Sequence, residues 1–336
     1  MQSSTTFTEI EIKEEINRLF NKLKKVNWSK DDCALIAEKT LLINRLKKEK
    51  NAVILAHSYQ TADVIFGISD FVGDSLGLSK QAADTTADII IFAGVKFMAE
   101  TAKVLSPQKT VIVPSIEAGC SLADSITADD VLQMKKIHPG VPVVSYVNTN
   151  ADIKAVTDYC VTSANVIEVV KTIPEDRIIF LPDKNMADFV RKETGKIVID
   201  WDGYCIVHQE FNAESIIHLK KEQNEIIVIA HSECPPDVLE QVDMVGGTSD
   251  MQRFIRDHPE QKKYFLVTEC GLSDKLAVEF PDREFYGTCI LCPYMKKNNL
   301  DNIIDALISP HPSQIINLNQ NIIDTSKAVL LKMISN

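Results

Sequence analysis

The chain has 336 residues and a formal net charge of −11, from 47 acidic and 36 basic side chains. This acidic balance disfavours nucleic acid as a partner, because a phosphate backbone is bound by clustered lysine and arginine. An anionic small molecule would have to be captured by local groups instead of the overall field. The most apolar run, residues 89–95, is far shorter than the roughly 20 residues that cross a membrane, so no membrane partner is expected.

The first 26 residues are polar and amphipathic and lack the apolar core of a signal peptide. We therefore expect a cytoplasmic protein whose eight cysteines are mostly reduced, and whose important cysteines are metal ligands or reactive thiols. Glycine is scarce, with 12 residues, and neither a GxGxxG string nor a P-loop occurs. The common nucleotide-binding folds are therefore not expected.

Helical periodicity predicts two N-terminal helices, over residues 10–23 and 35–48. Beyond residue 50, short apolar runs alternate with helical patterns, which is typical of an α/β protein with parallel sheets. The predicted strands cover residues 52–57, 89–94, 110–115, 141–148, 177–183, 196–201, 225–231, 263–269 and 283–287.

The strands fall into three similar units of about 85 residues. In each unit the first strand ends in a ring side chain, a hydroxyl residue follows near a helix start, and a cysteine follows the last strand. These residues are His57, Tyr146 and His231; Ser75, Ser163 and Thr248; and Cys120, Cys205 and Cys292. The repeat predicts an α/β fold of three homologous small lobes, each a parallel sheet flanked by helices, with pseudo-threefold symmetry. We expect N-terminal helices in residues 1–50, lobes in 51–137, 138–222 and 223–297, and C-terminal helices in 298–336.

Polar side chains at the strand ends predict one shared cavity. Ligands of parallel α/β sheets bind beyond the carboxyl ends of the strands, and side chains two residues apart share a face. Each unit offers such a pair: His57 with Tyr59, Tyr146 with Asn148, and His231 with Glu233. Either histidine alone is more often a structural residue bonded to backbone, but their equivalent places in the repeat favour function.

Single free cysteines are most often small buried hydrophobic residues. We interpret four of the eight in this way: Cys33, Cys160, Cys234 and Cys270. Three thiolates that converge from three lobes suit an iron–sulfur cluster better than tetrahedral zinc, and this predicts a [4Fe–4S] cluster with one open iron on Cys120, Cys205 and Cys292. Cys289 is predicted not to be a ligand, although it could pair with Cys292 after oxidation.

The three hydroxyl residues allow two compatible interpretations. Serine and threonine are common helix N-caps, and a hydroxyl at a helix N-terminus also suits a carboxylate or phosphate. Three such positions around one cavity favour a polyanionic substrate.

Longer strings in all three units match a known family. They are ILAHSYQ (54–60), FVGDSLGLS (71–79), FAGVKFMAETAKVLSPQKTV (92–111), EAGCSLAD (117–124), YVNT (146–149), DYCVTSAN (158–165), FLPDKNM (180–186), DGYCIVH (202–208), AHSEC (230–234), DMVGGTSDM (243–251) and CPYMKKNNL (292–300). Through these strings the chain resembles the quinolinate synthases of de novo NAD biosynthesis, from about residue 40 to the C-terminus.

The resemblance implies condensation of iminoaspartate with dihydroxyacetone phosphate to quinolinate, with loss of phosphate and two waters. It implies a transferase-type enzyme with a [4Fe–4S] cluster on the three repeated cysteines, and a transient supply of iminoaspartate from an aspartate oxidase or dehydrogenase. The substrate-binding positions that it implies are His57, Ser75, Tyr146, Val147, Asn148, Ser163, His231, Ser232, Glu233 and Thr248. The sequence departs from the family pattern at Ser58, Lys96, Asp202, Ser232, Gly247 and Asp250, where we expect effects on loop geometry.

Quinolinate formation requires proton transfers beside the cluster. Glu233 is the predicted principal base, because a carboxylate held away from water has its pKa moved toward neutrality. Tyr59 is its predicted proton partner, and His57 and His231 are further catalytic candidates. Tyr146 with Asn148 is expected to position the substrate.

Two other functions stay open on the residues alone. One is a non-catalytic three-lobed binding protein for a small dicarboxylate, with inert buried cysteines. The other is a zinc hydrolase or lyase that uses two or three of the same cysteines. Iron, sulfide and zinc analysis after anaerobic purification distinguishes the three.

Overall fold

The structure is a computed structural model that describes residues 7–223 and 225–335. Residues 1–6 and 336 lie outside this part of the chain, at the ends of the predicted N-terminal and C-terminal segments. Asn224, near the start of the third predicted lobe, lies outside it as well. The predicted limits of the five segments stay predictions.

Three parallel four-stranded sheets, one in each lobe, share one strand order. The first strand of each lobe lies between the second and third, and the fourth pairs with the third. The first sheet contains β1 (Ala52–His57), β2 (Phe71–Gly73), β3 (Ile89–Ala93) and β4 (Thr110–Ile112). The second contains β5 (Val143–Tyr146), β6 (Tyr159–Val161), β7 (Arg177–Leu181) and β8 (Ile197–Asp200). The third contains β9 (Ile227–His231), β10 (Met244–Gly246), β11 (Lys263–Val267) and β12 (Glu284–Tyr286), so the predicted fold class is confirmed.

Helices connect the strands and cover the sheets. Before and within the first lobe lie α1 (Glu9–Leu23), α2 (Lys30–Glu49), α3 (Ala62–Gly67), α4 (Ser75–Asp84) and α5 (Lys96–Leu105). They are followed by α6 (Ala128–Ile137), α7 (Ala151–Lys154), α8 (Val166–Thr172), α9 (Lys184–Thr194) and α10 (Ala213–Glu222). The last are α11 (Pro236–Leu239), α12 (Thr248–Asp257), α13 (Gly271–Glu279), α14 (Leu300–Ile308) and α15 (Gln320–Ser335). No helix among the described residues has the length and apolar character needed to cross a bilayer.

The sequence analysis predicts the three-residue strands β4 and β12 but misses the second strand of each sheet. The missed strands, β2, β6 and β10, are also three residues long, so length alone does not explain the difference. Each follows an aspartate whose carboxylate accepts a first-strand N–H at 2.8 Å; the aspartates are Asp70, Asp158 and Asp243. Each aspartate also pairs with a lysine of the helix that precedes the first strand of its sheet, α2, α6 or α10. These lysines are Lys47, Lys135 and Lys220. The repeat therefore extends to individual hydrogen bonds, which tie each helix and short strand to the first strand.

One large core joins the inner faces of the three sheets. On the outer side each sheet has its own apolar layer, formed by α2 and α14 on the first sheet, α6 on the second and α10 on the third. Helix α6, which falls within the predicted limits of the first lobe, thus packs against the second. The long C-terminal helix α15 contributes Leu330 and Met333 to the shared core. This packing brings the carboxyl ends of the sheets toward one another.

We expect Asp158→Ala to destabilise the protein by about 1–3 kcal/mol, because the N–H of buried Val143 loses its acceptor. Asp158→Asn keeps an acceptor oxygen, and Lys135→Met removes only a partly exposed ion pair, so each should cost about 1 kcal/mol or less. Urea unfolding of the three variants measures the differences. Equal losses in Asp158→Ala and Lys135→Met would contradict the importance of the backbone bond.

Candidate active site

The first strands of the three lobes end at a common cavity. The ring residues at their ends line it together with the partners two residues on: His57 and Tyr59, Tyr146 and Asn148, His231 and Glu233. Cys120, Cys205 and Cys292 line the same cavity. The structure therefore brings together the three polar pairs and the three cysteines that the repeat relates.

His57 and His231 are buried and neutral. In each ring, Nδ1 accepts the backbone N–H of the residue two positions on, at 3.1 Å from Tyr59 and 3.3 Å from Glu233. The proton of each neutral ring is therefore on Nε2, which is left as a hydrogen-bond donor. Burial lowers the pKa of His57 to about 3 and the pKa of His231 to about 4.

Glu233 is 4% exposed, and both of its carboxylate oxygens are hydrogen-bonded. Oε1 accepts from the Tyr146 hydroxyl at 2.6 Å and from the Asn148 amide at 3.4 Å, and Oε2 lies 2.9 Å from Nδ1 of His208. Burial favours the neutral acid, but the contact with His208 and the hydrogen bonds from His208 and Tyr146 favour the carboxylate and lower the pKa of Glu233. The predicted shift of this pKa toward neutrality is therefore wrong, and Glu233 is a carboxylate at pH 7.

Tyr59 is linked to Glu233 by a chain of hydrogen bonds. The Tyr59 hydroxyl lies 2.8 Å from Oγ1 of Thr268 and accepts from Oγ1 of Thr248 at 3.2 Å. Oγ1 of Thr268 is in turn 2.9 Å from Nε2 of His208, whose Nδ1 contacts Glu233. Burial raises the pKa of Tyr59 well above its usual value, so this phenol is a proton donor at pH 7.

The three predicted ligand cysteines each begin a turn with the same hydrogen bonds. Every Sγ accepts the backbone N–H groups of the residues two and three positions on: Leu122 and Ala123, Val207 and His208, Tyr294 and Met295. Every cysteine carbonyl accepts the N–H of the fourth residue on, at 2.9 to 3.2 Å. Burial raises the pKa of all three thiols, to about 12 in Cys120, whereas the paired N–H donors favour the thiolate.

The three cysteines do not form a compact single-ion site. Among the described residues, the one set of three ligand-type side chains with donor atoms all within 4.8 Å of one another is Cys205, His208 and Glu233. At least one pair of sulfurs among Cys120, Cys205 and Cys292 is therefore farther apart than 4.8 Å, although all three line one cavity. Three soft thiols from three lobes are the ligand type that binds an iron–sulfur cluster.

The three predicted hydroxyl residues also line the cavity: Ser75, Ser163 and Thr248. Ser75 and Thr248 are the first residues of α4 and α12, and Ser163 lies just before α8. The N-cap positions of these helices belong to other residues, Asp74, Gly247 and Asn165. Helix capping therefore does not account for the three hydroxyls.

Val147 lines the cavity as predicted for a substrate-binding residue, but Ser232 does not. Ser232 is fully buried, and its Oγ has no hydrogen-bond partner among the described residues. The geometry does not support the predicted contact of Ser232 with a substrate. None of the departures from the family pattern lines the cavity: Ser58, Lys96, Asp202, Ser232, Gly247 and Asp250.

The sequence analysis misses His208, which is buried in the centre of the site. Its Nδ1 lies 3.2 Å from Sγ of Cys205, besides its contacts with Glu233 and Thr268. The ring stacks on His231 with centroids 4.6 Å apart. One sequence feature could have identified His208: it follows the predicted ligand Cys205 by three residues, so the two side chains lie on the same turn.

A buried ion pair between Glu269 and Lys296 is a second feature missed from sequence, with a distance of 2.9 Å. Oε1 of Glu269 also accepts the N–H of Cys292, and Nζ of Lys296 donates to the carbonyl of Tyr59. Burial raises the pKa of Glu269, and Lys296 opposes that shift. The pair holds a cysteine turn of the third lobe against the strand-end loop of the first.

Three α/β lobes around a cavity with three thiols, two neutral histidines and a hydrogen-bonded carboxylate define a three-lobed α/β enzyme with a thiol-lined active site. The family model described as quinolinate synthetase A protein matches residues 42–335. The chain belongs to the quinolinate synthetase A protein family.

Individual relatives agree with this family. The chain is 48% identical to a quinolinate synthase of Xylella fastidiosa (strain Temecula1) over 265 residues, which cover 79% of this chain and 78% of the relative. It is 45% identical to a quinolinate synthase of Agrobacterium fabrum over 307 residues, 90% of this chain and 86% of the relative. It is 47% identical to quinolinate synthase 2 of Mesorhizobium japonicum over 262 residues, 78% and 81% of the two chains.

The two buried histidines predict a loss of stability in acid. Their folded-state pKa values of about 3 and about 4 lie below the ordinary 6.5, so the unfolded chain binds protons first as the pH falls. Their contribution is complete above pH 6.5, and each should remove about 1.4 kcal/mol of unfolding free energy per pH unit between pH 6.5 and 5. Urea unfolding at several pH values measures this slope.

His231→Asn should reduce the slope by about one proton. His218→Asn is the matched control, because the His218 side chain is largely exposed. An unchanged slope in His231→Asn would contradict the assignment of a neutral buried ring.

Proposed function

We propose that this chain is a quinolinate synthase that condenses iminoaspartate with dihydroxyacetone phosphate to quinolinate, releasing phosphate and two waters. The observation that carries the proposal is the convergence of three identical cysteine turns and one ionised carboxylate on a single cavity. Membership of the family supports the same reaction.

Cys120, Cys205 and Cys292 are the residues that would hold a [4Fe–4S] cluster, because they are soft ligands from three lobes with prearranged N–H donors at each sulfur. A cluster with three cysteine ligands supplies one open iron, a Lewis acid that polarises a substrate hydroxyl. The high pKa values of the thiols make ligation compete with protons, so cluster retention should improve as the pH rises.

Substrate anions would be held by neutral donors. The Nε2–H groups of His57 and His231 and the hydroxyls of Ser75, Ser163 and Thr248 all line the cavity. Helices α4 and α12 begin at two of these hydroxyls, so their positive N-termini add to the attraction for carboxylate or phosphate.

Glu233 and Tyr59 would carry the proton transfers. Glu233 is ionised and would accept a proton, while Tyr59, whose raised pKa keeps its hydroxyl protonated, would donate one to the carbon skeleton. Thr268 and His208 connect the two side chains by hydrogen bonds, which would couple their protonation states. Tyr146 and Asn148 would orient the substrate beside Glu233.

A single metal ion on Cys205, His208 and Glu233 is the second candidate, since their donor atoms are mutually close. It would support the zinc hydrolase or lyase considered from sequence. In the structure Glu233 and His208 instead bond to each other at 2.9 Å. Zinc in place of iron in the purified protein would favour this alternative.

We also propose a cytoplasmic location, which the eight free cysteines favour. The supply of iminoaspartate by an aspartate oxidase or dehydrogenase belongs to the same proposal. An imine of this kind hydrolyses readily in water, so a close source would be an advantage.

The protein purified anaerobically should contain iron and sulfide and form quinolinate. Cys→Ser at Cys120, Cys205 or Cys292 should abolish iron retention, because each removes one of three ligands. Cys33→Ser and Cys160→Ser, both at buried positions that do not line the cavity, are the controls and should keep iron. A full iron content in Cys205→Ser would overturn the ligand assignment.

Glu233→Gln should retain the cluster and substrate binding and lose roughly 10²–10⁴ in kcat, because the shape is kept while the base is removed. Glu100→Gln is the matched control, since Glu100 is also buried but accepts the N–H of Ala151 and does not line the cavity. Quinolinate formation by iron-loaded variants is the measurement. Unchanged kcat in Glu233→Gln would refute its role as base.

A further inference from the structure

Cys270 and Cys289 lie in contact although neither lines the active-site cavity. Their Sγ atoms are 2.6 Å apart, and both cysteines are free. Cys289 is exposed, and Cys270 lies half-buried at the N-cap of α13. The sequence analysis interprets Cys270 as structural and allows Cys289 to pair with Cys292 after oxidation, whereas the structure brings Cys289 against Cys270.

Hydrogen bonds hold together the backbone segments that carry Cys270 and Cys289. The N–H of Cys270 donates to the carbonyl of Ile290 at 3.1 Å, next to Cys289. The N–H of Cys292 donates to Glu269 at 3.1 Å, immediately before Cys270. A disulfide requires its Cα atoms within about 7 Å, and these two hydrogen bonds hold the two chain segments beside each other.

The side chain of Cys292 faces the active-site cavity and not the Cys270–Cys289 pair. Its sulfur accepts the N–H groups of Tyr294 and Met295 and lines the cavity, whereas Cys289, three residues earlier, faces solvent. In a Cys-x-x-Cys segment the two thiols can close on each other once one is oxidised. Such closure would remove a ligand from the proposed cluster.

We propose that Cys270 and Cys289 form a reversible disulfide that diverts oxidation away from Cys292; this rests on the proposed function only in taking Cys292 as a cluster ligand. The oxidant is a low-molecular-weight disulfide. The thiolate of Cys289 attacks one of its sulfurs and releases one small thiol, and the thiolate of Cys270 then attacks Cys289 Sγ and releases the second. Two protein thiols lose two electrons and two protons, and the small disulfide is reduced to two thiols.

The order of attack follows from exposure. Burial and the neighbouring Cys289 raise the pKa of Cys270 to about 12, so Cys270 is the weaker nucleophile toward a dissolved reagent. Contact with Cys289 supplies the high local concentration that lets Cys270 complete the second step.

The test treats the anaerobically purified holoenzyme with oxidised glutathione, traps remaining thiols by alkylation and maps the peptides by mass spectrometry. The expected product is a Cys270–Cys289 peptide pair that dithiothreitol cleaves, with Cys292 recovered as a free thiol. In Cys270→Ser the reduced fraction of Cys292 should fall severalfold faster, with a Cys289–Cys292 disulfide or glutathionylated Cys289 as product. Cys160→Ser, which removes a buried cysteine outside this region, is the control and should behave as the unmodified enzyme.

Absence of the Cys270–Cys289 pair from the oxidised enzyme would overturn the proposal, and so would equal loss of reduced Cys292 with and without Cys270. The Cys270–Cys289 peptide pair is detected directly and does not depend on iron. A protein that forms the pair and protects Cys292 but contains no iron would contradict the proposed cluster and leave the disulfide standing.

Discussion

The ionised carboxylate of Glu233 is almost completely buried, and the geometry of the site follows from the need to stabilise that charge. A buried carboxylate is costly unless each oxygen is hydrogen-bonded. Its partners come from other parts of the chain: Tyr146 and Asn148 from the end of the second lobe's first strand, and His208 from the second cysteine turn. The carboxylate is therefore hydrogen-bonded on both oxygens only while the second and third lobes are together, which couples the ionisation of Glu233 to the assembly of the cavity.

The three lobes repeat their backbone interactions and vary their side chains. An aspartate bonds the first strand in every lobe, and a pair of N–H groups faces the sulfur of each repeated cysteine. The side chains at equivalent strand ends differ: they are two histidines and a tyrosine, followed two positions later by a tyrosine, an asparagine and a glutamate. The symmetric backbone places all six around one cavity, and their different chemistry gives each lobe a different set of hydrogen-bond donors and acceptors there.

Features set by local pattern could be predicted from sequence, and features set by contacts between lobes could not. Apolar runs reveal nine of the twelve strands of the three sheets, whereas β6, like β2 and β10, is a short segment that begins directly after an aspartate and is not recognised. The repeat identifies Cys120 because its place recurs, but His208 has no counterpart in the other units and emerges only through contacts. The predicted direction of the Glu233 pKa shift is wrong for the same reason. Burial of Glu233 can be foreseen from its position at a strand end, but the hydrogen-bond donors that outweigh burial lie 25 and more residues away in the sequence.

The cavity contains no lysine or arginine among the described residues that line it. Lys296 is paired with Glu269, which lines the cavity. The anionic substrates of the proposed function would therefore depend on short-range donors: imidazole Nε2–H groups, hydroxyls and helix N-termini. Such donors discriminate by position rather than by charge, because a neutral hydrogen bond is lost within a fraction of an ångström while an ion pair is not.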